Sequence, residues 1–240
     1  MGKIWIVTKR ELSSFFDSLI AYVMIVLFLG LSGSFVWLFG NNVFVLGQAN
    51  LSVFYGIAFW SLFFFIPAIT MRMIAEENKS GTIELLITKA ISDAQIVTGK
   101  FFACLILVMI ALACTVPYYI TVSQLGNVDD GAVIGGYIGL ILLSACYVSI
   151  GLFSSSLTQN QIVAFLLALT IGIFFHLLFD VIGSGFTGFF GTFFNFLSMR
   201  AHFESMSRGV IDSRDIVYFA SIIGLGLILT QIMLAKRNWK

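Results

Sequence analysis

His176 and Asp180 stand four residues apart in FFHLLFDVIGS, a spacing that brings two side chains to one face of an α-helix, and Ser184 follows a turn later. Serine, histidine and aspartate are the residue types of acyl transfer. No Gly-x-Ser-x-Gly elbow or oxyanion donor accompanies them, so the spacing predicts a His176–Asp180 hydrogen bond near the outer end of an apolar run rather than catalysis. Glu76-Glu77 is a carboxylate pair without the nearby histidines of a metal-dependent protease. Ala94-Gln-Ile-Val-Thr-Gly99-Lys100-Phe101 approaches a phosphate-binding loop but lacks its first glycine and its magnesium-binding hydroxyl. Cys104, Cys114 and Cys146 match no zinc spacing and read as small apolar residues. No catalytic, metal-binding or cofactor-binding residue is expected, and the chain reads as non-catalytic.

The elements that carry these residues are membrane-like. The 240 residues are 59% hydrophobic and 10% charged, with mean hydropathy +1.02, against about 25% charged residues in a soluble domain. Apolar runs approach the ~20 residues that a helix needs to cross a bilayer, which excludes the weak two-residue alternation of a β-barrel. The expected fold is an all-α polytopic membrane protein with six transmembrane helices at 19–39, 51–70, 101–121, 132–153, 162–182 and 216–235. The central parts of these runs carry no ionisable residue besides His176, which weighs against an ion-coupled pathway. The net charge of +1 gives no sign of nucleic-acid binding, and none is expected.

Ten of the 13 Lys and Arg residues fall before the first run, between the second and third, or after the last; Arg200, Arg208 and Arg214 fall on the other side. Basic loops stay in the cytoplasm, so both termini are expected there. Trp5, Leu12, Phe15 and Phe16 lie near one face of residues 1–18, and Lys9 and Arg10 near the other. This pattern predicts an interfacial amphipathic helix in contact with lipid, with no cleaved leader. Pro67 and Pro117, both inside apolar runs, predict kinks. Residues 183–214 open with a Phe/Gly-rich uncharged stretch too short to span and are expected to form short outer re-entrant helices, with Ser213 as N-cap of the last span. Gly135-x-x-x-Gly139 predicts a close helix approach.

Residues 71–100 form a polar island between the second and third runs, holding Arg72, Glu76, Glu77, Lys79, Glu84, Lys89, Asp93 and Lys100. A helix-forming stretch from Glu76 to Leu86 is interrupted at Ser80-Gly81, and Ser92 with Gln95 has the spacing of a capping box. A short amphipathic helix with charged flanks is suited to docking in a partner's groove.

Pro67-Ala-Ile-Thr-Met-Arg72, Ala75-Glu-Glu-Asn-Lys-Ser-Gly-Thr-Ile-Glu-Leu-Leu86 and Ile91-Ser-x-x-Gln-Ile-Val-x-Gly-Lys-Phe101 resemble the signature of ABC-2-type transporter permeases, and in particular the permease subunit of the gliding-motility ABC transporter. Further likeness runs through Arg10-Glu11-Leu12-x-x-Phe15-Phe16, Tyr137-Ile-Gly-Leu, Ser154-Ser-Ser-Leu-Thr-Gln-Asn-Gln161 and His202-Phe-x-x-Met-x-Arg-Gly-Val-Ile-Asp212. Leu19 and Ala90 stand where such sequences often carry proline.

The resemblance implies a single permease domain over residues 1–240 with the ABC-2 exporter fold, in a bacterial cytoplasmic (inner) membrane. It makes residues 71–100 a cytoplasmic coupling region, with Glu76, Glu77, Ser80, Gly81, Thr82, Ile83, Glu84, Leu85 and Leu86 facing a cytosolic ABC ATPase that would bind ATP and Mg. It also implies a second permease chain, identical or related, and an auxiliary membrane protein with an extracytoplasmic domain. The alternatives that the residues leave open are a secondary transporter or channel, an intramembrane hydrolase, and a non-transporting anchor for an envelope complex.

Overall fold

The computed structural model describes residues 2–40, 43–81 and 92–236. Its helices are α1 (Gly2–Asp17), α2 (Leu19–Trp37), α3 (Val43–Leu46), α4 (Ser52–Thr70), α5 (Ala75–Ser80), α6 (Asp93–Ala113), α7 (Val116–Leu125), α8 (Asp130–Ser156), α9 (Gln161–Ile173), α10 (Phe179–Gly185), α11 (Phe189–Leu197), α12 (Met199–Ser207) and α13 (Ser213–Ala235). A π-helical turn, Phe174–Leu178, joins α9 to α10. Among the described residues no strand is present. Six helical stretches among the described residues are long and apolar enough to cross a membrane: Leu19–Trp37, Ser52–Ser80, Asp93–Leu125, Asp130–Ser156, Gln161–Gly185 and Ser213–Ala235. All six expected spans are present, and several run past the apolar residues that announced them, because polar residues continue the same helices.

The fourth span, α8, is the most deeply buried of the six and packs against α4, α6, α9, α12 and α13. Small residues let its neighbours approach. A Cβ on Gly151 would collide with Thr70 of α4, and one on Gly226 of α13 would lie 2.8 Å from Ser149 Oγ. The Gly135–Gly139 pair does permit a close approach, but to the short helix α12: a Cβ at Gly135 would strike the Met206 carbonyl. Exposed apolar side chains such as Val26, Leu166 and Ile228 line the outer surfaces of α2, α9 and α13, as expected of helices solvated by lipid.

The two prolines act differently. At Pro117 the helix breaks: α6 stops at Ala113 and α7 begins at Val116, leaving Pro117 in a first turn that needs no N–H from it. Pro67 stays inside α4, three residues before that helix ends. Ser92 caps α6 with the expected reciprocal pair to Gln95. The last span is capped by Asp212 rather than Ser213: Asp212 has the extended backbone of an N-cap and its carboxylate accepts the Arg214 N–H at 3.0 Å, which places Ser213 in the first turn.

Candidate functional site

Lys100 lies in the second turn of α6 with its side chain 1% exposed. Its Nζ donates to Glu77 Oε1 at 2.8 Å and to Glu11 Oε1 at 3.1 Å. Arg10 joins them, pairing with the Glu11 carboxylate and reaching Glu77 Oε1 at 3.3 Å. Two cations and two carboxylates thus balance where α1, α5 and α6 meet. A buried ammonium without such partners would carry a desolvation penalty of several kcal/mol. Burial pushes the Glu11 carboxyl up, but the Lys100 charge and the Arg10 hydrogen bond outweigh it and hold Glu11 below its ordinary value. Glu77 Oε2 is buried and has no hydrogen-bond partner among the described residues.

The backbone around the cluster is held just as closely. Thr8 Oγ1 donates to the Gly99 carbonyl at 3.1 Å, and a Cβ on Gly99 would lie 2.7 Å from Val7; only glycine admits α1 this near to α6. The turn between α4 and α5 is fixed from α8. Ser155 Oγ accepts the Ile74 and Ala75 N–H groups at 3.1 and 3.0 Å and donates to the Met71 carbonyl at 2.9 Å. The Arg72 guanidinium lies 5.6 Å over the Phe15 ring, inside cation–π range. Arg72, Ser14, Glu76 and Ser80 join Glu11 and Glu77 around a polar recess of about 310 Å³.

Of the expected coupling residues, Glu76, Glu77, Ser80 and Gly81 are brought to this junction's edge, with Glu77 inside it. Ser80 bonds back to the Glu76 carbonyl, and Gly81 ends α5 in the left-handed region at φ +69°. Thr82, Ile83, Glu84, Leu85 and Leu86 lie outside the described residues, as do Lys89 and Ala90. Lys100, expected as a loop cation, is instead a buried helix residue, because two carboxylates remote in sequence accompany it. Lys100, Glu11 and Ser155 were not among the expected site residues. Glu11 and Lys100 were visible only as members of charged motifs, and Ser155 only as one of a run of three serines.

The N-terminal helix forms over the expected stretch, but its apolar face is turned. Val7, Thr8 and Phe15 are buried, and Leu12 and Phe16 are partly buried, whereas Trp5 is 60% exposed and Lys9 and Arg10 lie outward. The protein-facing stripe is centred on Val7, Glu11 and Phe15, since the charge cluster draws Glu11 inward. Trp5 is left at the flank.

At the far end of the bundle His176 does not bond Asp180. The π-helical turn through His176 adds a residue to one turn of helix and rotates the two side chains apart. His176 Nδ1 lies 2.5 Å from Tyr147 Oη, and its ring stacks on Phe59 and Phe63 at 4.0 and 4.5 Å. Asp180 meets Arg200 at 3.5 Å instead. The Cys residues are all free, with Cys104 and Cys146 buried as expected and Cys114 exposed. Among the described residues no group of three or more His, Cys, Asp or Glu is placed to hold a metal ion.

Residues 47–235 match the family described as ABC-2 family transporter protein. The chain belongs to the ABC-2 transporter family. That assignment makes it a non-catalytic transmembrane component. The matched region contains Glu77 and Lys100 but neither α1 nor α2, so in this ABC-2 protein the charge cluster ties an N-terminal helix outside the match to the transporter domain. No curated protein matches the chain.

Proposed function

We propose that this chain is the membrane-spanning subunit of an ATP-driven ABC-2 exporter, in which residues 71–100 dock on a separate cytosolic ATPase that binds ATP and Mg. The Lys100 cluster carries this reading. A segment that only linked two spans would need no buried charge junction, whereas one that receives a push needs a stiff connection to the helices it moves. Here Glu77 lies four residues from Gly81 and shares Lys100 with Glu11, so displacement of α5 acts on α1 and α6 together. The ATPase would favour one arrangement of the six spans by binding it more tightly, which is the only way a partner can shift such an equilibrium.

In this reading both termini and residues 71–100 are cytoplasmic, in a bacterial inner membrane, with α1 lying in the interface and Trp5 toward lipid. Residues 183–214 form the outer re-entrant helices. A second permease chain, identical or related, completes the membrane unit. The motif likeness supports a reading of the system as a gliding-motility transporter, in which an auxiliary membrane protein with an extracytoplasmic domain would join it.

Co-purification tests the proposal. Gly81→Pro and Glu84→Lys should abolish capture of the ATPase while the permease still inserts. Gly81 has the positive φ that proline cannot adopt. Full capture and normal ATP turnover with both substitutions present would refute the docking assignment.

A further inference from the structure

A second cavity, of about 470 Å³, opens at the opposite end of the bundle between the start of α4, the start of α8 and α12. Its volume falls within the range of small-molecule sites. Two properties narrow what it takes. The rim is charged and exposed, with Asp129, Arg200, Glu204 and Arg208 around it. The inner end is aromatic, with Tyr55, Phe59, Trp60 and Phe203. From Ser52 to Trp60 the helix rises by about 12 Å, so the cavity runs from head-group level well into one leaflet of a hydrocarbon core ~30 Å thick.

The side wall is open. Gly56 and Trp60 are exposed on a candidate span, and a Cβ on Gly56 would meet nothing within 4 Å. A soluble ligand needs no sideways opening, but an acyl chain entering from the bilayer does. The cations at the rim differ in how fully they are used. Arg200 is committed to Glu204 at 2.8 Å and Asp180 at 3.5 Å. Arg208 donates Nε to the Glu204 carbonyl at 3.1 Å and has no carboxylate at ion-pair distance among the described residues. Its free guanidinium edge suits a phosphate.

We propose that this cavity binds an anionic phospholipid of the leaflet at the Arg200 end, with its phosphate at Arg208 and the upper part of a chain between Trp60 and Phe203. The aromatic wall continues inward: Phe59 lines the cavity and also stacks on His176, whose Nε2 is buried without a partner among the described residues. An occupying chain therefore presses on the ring that packs the π-helical turn. The site stands apart from the ATPase junction, and its binding is measured without the ATPase, so neither reading depends on the other.

The test uses the full chain in nanodiscs of phosphatidylcholine doped with photoactivatable phosphatidylglycerol. Adducts should map to the peptides carrying Trp60 and Phe203. Gly56→Trp, which fills open space, and Arg208→Glu, which reverses an exposed charge, should each cut labelling at least fivefold. Unchanged labelling in both variants would overturn the proposal. Equal labelling by photoactivatable phosphatidylcholine would overturn the head-group assignment. Displacement by millimolar inorganic phosphate would assign the rim to a free anion instead. An efficient disulfide between two Gly56→Cys chains would show that a second copy, not lipid, fills the side opening.

Discussion

At one end of the bundle Lys100 is buried between Glu11 and Glu77; at the other, His202 is buried between Asp215 and the Tyr218 ring. His202 Nδ1 lies 2.6 Å from Asp215 Oδ1, Nε2 lies 2.9 Å from the Phe196 carbonyl, and the ring stacks on Tyr218 at 4.0 Å. The first junction joins three helices through ion pairs, with one ring, Phe15, at its edge beneath Arg72. The second joins α12 to α13 with one close pair inside a group of rings. A charge network transmits force among all its members and fails when one is lost, whereas an aromatic pack with a few separate polar bonds keeps its ring contacts when one of those bonds is removed.

The contrast breaks most visibly at Lys100. Lys100→Met removes the buried cation and leaves Glu11 and Glu77 with the half-exposed Arg10; it should lower stability by about 3–5 kcal/mol, read as a fall in the melting midpoint of the detergent-solubilised chain. Adding Glu11→Gln and Glu77→Gln should recover much of the loss. If Lys100→Met alone is neutral, the cluster does not hold the three helices together.

Next in size is His202→Ala, which strands the Asp215 carboxylate. The expected loss is about 1.5–3 kcal/mol, and His202→Ala combined with Asp215→Asn should cost less than the sum of the two single changes. Additive costs would show that the pair is not coupled.

Gly99→Ala sets a Cβ against Val7 and should cost about 1–3 kcal/mol by overpacking. Val7→Gly removes both Val7 atoms that the new Cβ would crowd and should lower the cost of Gly99→Ala; an undiminished cost in that background would mean that α1 does not seat on Gly99.

A pH titration sharpens the comparison further. The Glu11 carboxyl is held below its ordinary 4.5 in the folded protein. Its contribution is therefore full above that value and lost as the pH falls through the lower folded one. Unfolding midpoints followed downward from pH 5 should fall more steeply for the wild type than for Glu11→Gln. Parallel curves would detach Glu11 from the cluster. The smallest effect is expected at Tyr147→Phe, about 0.5–1.5 kcal/mol for one hydrogen bond to His176.

What the sequence announces here is what depends on neighbours in the chain. The six spans follow from apolar runs, the Ser92–Gln95 cap from a three-residue spacing, and a distortion at Pro117 from its missing N–H, although that distortion is a full break there while Pro67 stays within α4. The cluster is silent because its partners are distant: Lys100 meets Glu11 and Glu77 only after α1 folds back beside α6. His176 and Asp180 misled for the opposite reason. Their spacing presumes a regular α-helix, and one added residue at the π-helical turn separates them.

The central claim is that residues 71–100 face the ATPase. A photoreactive amino acid placed at Glu84, in membranes that also contain the ATPase subunit, measures this contact directly. The account predicts an adduct between the two chains from position 84 that changes in yield with ATP, and none from position 208. An ATPase adduct from position 208, or an intact complex that gives none from position 84, would contradict it.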